Sequence, residues 1–197
     1  VRRDIVEATK RIYLAKGYAG TSTDEVAALS AVSKQTIYRH FANKDDLIAA
    51  VITDTIALAE EQGAAEFDAL AESKDLERDL KAFARQHIAD VIQPEIMQLR
   101  RRIIGEVDRF PEQALAWYVA GPKRGHQKLK TCFERLHERG LLRIDDPEIA
   151  AEQFNWLVLS IPMNAAMFDA KASFDTAKLD YIADDAVRVF LAAYGNS

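Results

Sequence analysis

Cysteine is nearly missing from these 197 residues: Cys132 stands alone, so no internal disulfide can form and a reducing cytoplasm is the expected setting. Eight glycines and five prolines leave few break points, which favours long uninterrupted helices. No apolar run approaches the roughly 18 residues of a membrane span, and no signal-like apolar segment opens the chain. His87, His126 and His137 fall in three different expected helices with no pair at ligand spacing, so no metal site and no cofactor are expected. Neither a Ser/His/Asp order nor a glycine-rich phosphate loop emerges, and the scattered carboxylates suit a surface, so an enzyme is not expected.

Charge is more informative when divided. The whole chain carries −5, a weak argument against a nucleic-acid partner. Residues 1–50 hold eight Lys/Arg against six Asp/Glu, net +2; the remainder holds 18 against 25, net −7. Affinity for DNA depends on where cations meet phosphates, because it derives from released counterions. A mildly basic head on an acidic body is compatible with binding to DNA.

Apolar residues recur at helical spacing nearly everywhere and alternate nearly nowhere. The first helix carries Ile5, Ala8, Ile12 and Ala15, with Gly17 as its stop. Ser22-Thr23-Asp24-Glu25 reads as a capping box, in which the Ser22 hydroxyl accepts a backbone N–H and Glu25 reaches back. That helix ends near Ser30; Ser33 caps the next, Lys34 to Phe41; Asn43 caps a long fourth helix carrying Leu47, Ile48, Val51, Ile52 and Leu58. Further helices are expected over about 76–92, from Pro94 to Phe110-Pro111 (Ile96, Leu99, Ile103 and Val107 on one face), around 113–119, and from Pro122 to Gly140. Asp146-Pro147 opens another, with Pro162 expected to kink it, and the last spans about Thr176–Tyr194. The fold class is therefore all-α: an N-terminal three-helix domain with a helix-turn-helix over residues 1–48, and a C-terminal helical domain over 49–197, whose part in ligand binding and dimerisation is an expectation from the resemblance given below.

Two short helices joined by a tight turn, the second holding Lys34, Gln35, Thr36, Tyr38, Arg39 and His40, have the form of a helix-turn-helix. Val26, Ala27, Val32, Ile37 and Phe41 can lock them at a fixed angle, leaving an exposed face with donors of different reach for a major groove. The run Gly17-Tyr18, Thr21-Ser22-Thr23, Val26-Ala27, Val32 through Phe41 and Asn43-Lys44-Asp45-Asp46-Leu47 resembles, without a gap, the N-terminal signature of the TetR family. The segment from Arg102 to Asp146, with Glu106, Phe110-Pro111, Gly140 and Asp146-Pro147, more loosely resembles C-terminal domains of the AcrR/AefR-like branch. The resemblance implies a dimeric transcription regulator, a repressor responsive to a ligand, gripping a pseudo-palindromic double-stranded operator. It also implies that Lys34, Gln35 and Tyr38 approach base edges, while Thr23, Ser33, Thr36, His40 and Lys44 hold phosphates. Tyr38 suits either a phosphate or a thymine methyl, and Arg39 lies beside the reading face, either reading or merely solvated. One residue departs from the pattern: Ala31 stands where glycine is usual, and a left-handed alanine costs roughly 1 kcal/mol.

In the body, Arg100-Arg101-Arg102 reads as a solvated face with one paired member, and Cys132 as core. Phe110, Trp117, Tyr118, Phe133, Trp156, Met163 and Met167 read as core by their helical spacing, and the resemblance gives equal weight to their lining a pocket for a small, mostly apolar effector, expected between the helices of residues 95–170. The last two long helices mix small residues (Ala150, Ala151, Ala183, Ala186) with large ones, which suits a four-helix interface in a homodimer. The competing reading is a helical enzyme or small-molecule carrier whose N-terminal helices are structural; the Ser33–Lys44 motif favours the regulator.

Overall fold

Side chains capped and spaced for helices produce helices. The computed structural model describes residues 1–196, except that the side chains of 56 and 58–64 are not described; Leu58, expected on the apolar face of the fourth helix, lies outside the described side chains. In chain order the helices are α1 (Arg2–Gly20), α2 (Thr23–Leu29), α3 (Lys34–His40), α4 (Lys44–Ala71), α5 (Leu76–Val91), α6 (Pro94–Gly105), α7 (Pro111–Tyr118), α8 (Arg124–Glu138), α9 (Pro147–Phe168) and α10 (Thr176–Tyr194). A π-helical turn, Val119–Lys123, carries Pro122 between α7 and α8. Among the described residues the only β pairing is an isolated bridge, Leu142 to Gly195, and no helix is long and apolar enough to cross a membrane.

Contacts divide the chain into two compact units, residues 1–58 with 98–121 and residues 59–97 with 122–197, so the first takes in much more than a cut at residue 48 would give it. In the first unit, Ile5, Val6, Ala8 and Ile12 of α1 meet Val26, Ile37, Phe41, Leu47, Ala50 and Val51, with Ala27 and Val32 against them. These are mostly aliphatic residues of modest size, as suits short helices crossing closely. Glycine acts earlier than a simple stop. Gly17 adopts φ 73, ψ −176 and interrupts α1, which resumes and reaches Gly20. The break orphans backbone groups, and two side chains beyond α6's midpoint satisfy them. The Tyr18 N–H donates to Glu106 Oε1 (2.9 Å), and the Leu14 and Ala15 carbonyls accept from Arg102 Nη2 (2.9 and 3.2 Å). Tyr13 adds its hydroxyl to Glu106 Oε2 at 3.3 Å. A Cβ at residue 17 would run into the Glu106 carboxylate, so glycine is required here for both backbone and space. Thus Arg102 acts as a capping side chain, its partners being backbone carbonyls rather than a carboxylate.

The second unit is built on rings. Phe133, Phe154 and Phe190 are fully buried and contact one another at centroid distances of 5.0–5.5 Å, with Leu80, Ile88, Leu129, Leu136, Val158, Ile182 and Val187 around them. Cys132 is buried in the same core, and desolvation pushes its thiol up to about 12. Asp146 Oδ1 accepts from the Glu148 and Ile149 N–H groups (3.0 and 3.1 Å), with Pro147 at the first position of α9, as its sequence foretells. α9 runs on through Pro162 to Phe168. The other differences are local: α6 ends at Gly105, short of Phe110, and Val107 beyond it is exposed.

Candidate nucleic-acid interface

At seven residues, α3 is too short to hold itself together in water. Three devices fix it. The Thr36 N–H donates to Ser33 Oγ at 3.0 Å; Ile37, 1% exposed, anchors the inner face; and the preceding turn returns the chain through Val32 N–H to Ala27 O (3.1 Å). Ala31 sits in that turn at φ 54, the only non-glycine residue with positive φ among the described residues. Its left-handed backbone makes the usual turn without the usual glycine. On either side, the Glu25 N–H donates to Ser22 Oγ (3.2 Å) and the Asp46 N–H to Asn43 Oδ1 (2.8 Å). The Glu25 carboxylate does not complete the expected box; it accepts from Lys16 Nζ at 2.7 Å instead.

With Ile37 turned inward, Lys34, Gln35, Tyr38, Arg39 and His40 are exposed and Thr36 is half-buried. Gln35, Thr36, Tyr38 and Arg39 line one shallow concavity, which puts Arg39 beside the expected readers. The set offers an amide, a phenol and two cations, the donor and acceptor types that base edges and phosphates distinguish. Tyr38 OH lies 3.4 Å from Thr23 Oγ1, joining α3 to the start of α2, and Ser33 Oγ lies 2.9 Å from Thr36 Oγ1. Lys34 Nζ lies 2.5 Å from Asp24 Oδ1, and that hydrogen bond raises the lysine above its ordinary range. Any anion recruiting Lys34 must take it from Asp24, an exchange that costs little because exposed pairs are weak.

Lys44 is seated differently. Its ammonium stands 4.4 Å above the Tyr18 ring, and burial lowers its pKa against the opposing pull of Asp45 and Glu106. Tyr18 also packs its ring on Phe110 at 3.8 Å and donates its hydroxyl to Asp45, which accepts from Gln113 Nε2 at 3.0 Å as well. Burial, with Asp45 adding to it, pushes the Tyr18 phenol up to about 12. Tyr18, Asp24, Asp45 and Glu106 enter the sequence only as members of its motifs, and neither they nor Gln113 carry a site role there; their contacts join positions up to 93 residues apart, and no local spacing announces the distant pairs.

The seven residues read as core or pocket divide between the units. Phe110 pairs with Tyr18, Trp117 is buried and Tyr118 is 49% exposed, all in the first. In the second, Phe133 and Met163 belong to the aromatic core, Met167 packs partly against it, and Trp156 is 46% exposed on α9.

With this geometry in hand, likeness to known proteins becomes specific. Residues 5–51 match the family model described as bacterial regulatory proteins, tetR family. Residues 78–196 match that of the AefR-like transcriptional repressor, C-terminal domain. The fold is similar to that of a Mesorhizobium loti protein assigned to the TetR-family transcriptional regulators, at 37% identity and TM-score 0.92 over 98% of this chain and 96% of the other. It is also similar to the Flavonoid-responsive Regulator FrrA, at 26% identity and TM-score 0.81, over 98% of this chain and 96% of that one. The HTH-type transcriptional regulator ArpR of Pseudomonas putida is 30% identical over 108 residues, 54% of this chain; the chain spans about half the length of such curated relatives (48% of ArpR).

Proposed function

The chain belongs to the TetR family of bacterial transcriptional regulators, and on that premise we propose that it is a ligand-responsive repressor that binds a pseudo-palindromic operator as a homodimer. Residues 1–48 form the DNA-binding domain in this reading, and residues 49–197 serve effector binding and dimerisation. The observation that carries it is the capped, inward-anchored α3 whose outer face presents Lys34, Gln35, Tyr38 and Arg39 together. Lys34, Gln35 and Tyr38 read base edges; Thr23, Ser33, Thr36, His40 and Lys44 hold phosphates, the hydroxyls near helix starts being suited to phosphate oxygens.

One seven-residue helix reaches too few base pairs for specific affinity, so two heads must act together. α9 and α10 supply the dimer face: Ile149, Trp156 and Ile161 on one and Tyr181 and Val189 on the other are exposed apolar residues in need of cover. A small, largely apolar effector in the body lowers operator occupancy through its differential affinity for two head arrangements, typically 1–3 kcal/mol of coupling. The flavonoid response in FrrA's name is consistent with that chemistry.

Selection from random double-stranded DNA tests this reading. An enriched inverted repeat with half-sites about one helical turn apart supports it. Absence of enrichment, with no retention of any DNA even at low salt, contradicts it.

A further inference from the structure

Two lysines of the first unit are neutralised by carboxylates: Lys34 Nζ lies 2.5 Å from Asp24 Oδ1 and Lys16 Nζ 2.7 Å from Glu25 Oε1. Lys44, the first residue of α4, is held by a ring instead, its ammonium 4.4 Å from the centre of Tyr18. Among the described residues it has no hydrogen-bond or ion-pair partner, although Asp45 and Glu106 stand near enough to attract it. Both acids are already engaged, and Tyr18 engages both. The Asp45 carboxylate accepts from the Tyr18 hydroxyl and, at 3.0 Å, from Gln113 Nε2. The Glu106 carboxylate accepts the Tyr18 N–H at 2.9 Å on one oxygen and the Tyr13 hydroxyl at 3.3 Å on the other.

One residue thus sets three conditions on the same cation. Its ring restrains a flexible side chain, so less freedom is left to lose when an anion arrives. A π face attracts an ammonium without neutralising it, and the N–H donors remain for an oxygen acceptor. Its hydroxyl and backbone N–H occupy the acids that would otherwise pair with Lys44. Tyr18 is itself fixed, its ring packed on Phe110 at 3.8 Å. The cation so prepared lies at the N-terminal end of a 28-residue helix, where an anion is favoured and a lysine without one is not.

We propose that Tyr18 is a positioning residue for operator binding, holding the Lys44 ammonium over its ring, unneutralised, for a DNA phosphate. The proposal rests on the phosphate role given to Lys44 above and adds the residue through which that role works. Lys34 and Lys16 must leave a carboxylate before they can meet a phosphate; Lys44 has none to leave.

A double-mutant cycle on the full chain tests this, with binding to the selected operator and to random duplex measured over a salt series. Tyr18→Leu should weaken both duplexes alike, by about two- to fivefold per head, the worth of a cation–π contact, and make the salt dependence shallower. In the Lys44→Ala background the same substitution should cost nothing more. Tyr18→Phe, which keeps the ring, should bind more tightly than Tyr18→Leu. An equal loss in both backgrounds would show that Tyr18 serves only the fold of the head. Tighter binding by Tyr18→Leu would show a ring that withholds Lys44 from DNA; either result overturns the proposal. A measurement on the wild type keeps it open to refutation should Tyr18→Leu fail to fold. After reductive methylation with labelled carbon, which keeps the charge, the Lys44 methyl resonance is assigned by its loss in Lys44→Ala. It should lie upfield, shifted by the Tyr18 ring, and move when duplex is added; a resonance at the ordinary lysine position overturns the proposal. Unchanged DNA binding by Lys44→Ala removes the Lys44 role and that of Tyr18 while leaving the operator reading. No DNA binding by the wild type removes all three.

Discussion

The first unit and the second are held by different means. The first packs mostly aliphatic side chains between α1, the short α2 and α3 and the start of α4, secures the starts of α2, α3 and α4 with Ser or Asn caps, and repairs a broken α1 with Arg102 and Glu106. The second interlocks phenyl rings of three helices into one core and caps the starts of α5, α9 and α10 with aspartates, Asp75, Asp146 and Asp175. Small residues and polar caps fix backbone angle, which is what a base-reading helix needs. Large rings provide buried area and adaptable surface, which is what a body that must associate and bind requires.

The comparison breaks most readily in the body. Phe154→Ala removes a ring that touches Phe83, Phe133 and Phe190, and should lower unfolding free energy by about 3–5 kcal/mol. Cys132 gives an internal readout: its desolvated thiol should resist alkylation in the wild type and be labelled much faster in this variant. A loss under about 1 kcal/mol would mean the body is not organised on its rings.

Next in size is Gly17→Ala. The backbone at φ 73, ψ −176 is essentially reserved for glycine, and the added methyl displaces Glu106 from Tyr18. Roughly 1–3 kcal/mol of stability should be lost, with thermal unfolding as the measurement. An unchanged midpoint would show that the break in α1 is not a fixed feature.

Ala31→Gly should act in the opposite direction. Relief of the left-handed alanine at φ 54 outweighs the added freedom of the unfolded chain by up to about 1 kcal/mol. A loss of stability would sink this reading of the turn. The smallest change concerns Asp24→Asn, which frees Lys34. Affinity for DNA of any sequence should rise slightly in a gel shift, and a fall would show that the pair positions Lys34 rather than competing for it.

Local signals carried far into this molecule. The caps at Ser22, Ser33, Asn43 and Asp146, the span Thr176–Tyr194 and the miniature core of Val26, Ala27, Val32, Ile37 and Phe41 could all be read from neighbours in sequence. What escaped was carried by distant pairs. Which arginine of the run Arg100-Arg101-Arg102 is engaged, and by what, could not be read, because the acceptors of Arg102, the carbonyls of Leu14 and Ala15, are freed only once Gly17 breaks α1. Glu25 could answer either its own cap or Lys16, and spacing alone does not decide between them. Likewise the bulky residues from Phe110 to Met167 share helical periodicity whether they fill a core, like Phe133, or face outward, like Trp156.

The central claim is that α3 reads bases while residues around it hold phosphates, and the salt dependence of binding for Gln35→Ala and Lys44→Ala tests it most directly. On the selected operator, Gln35→Ala should cost about 1–3 kcal/mol with an unchanged salt slope and little loss on random DNA. Lys44→Ala should weaken both DNAs alike and reduce the slope by about one unit. Equal losses on operator and random DNA for both variants, with the same change in slope, would contradict it: Gln35 would then read no bases.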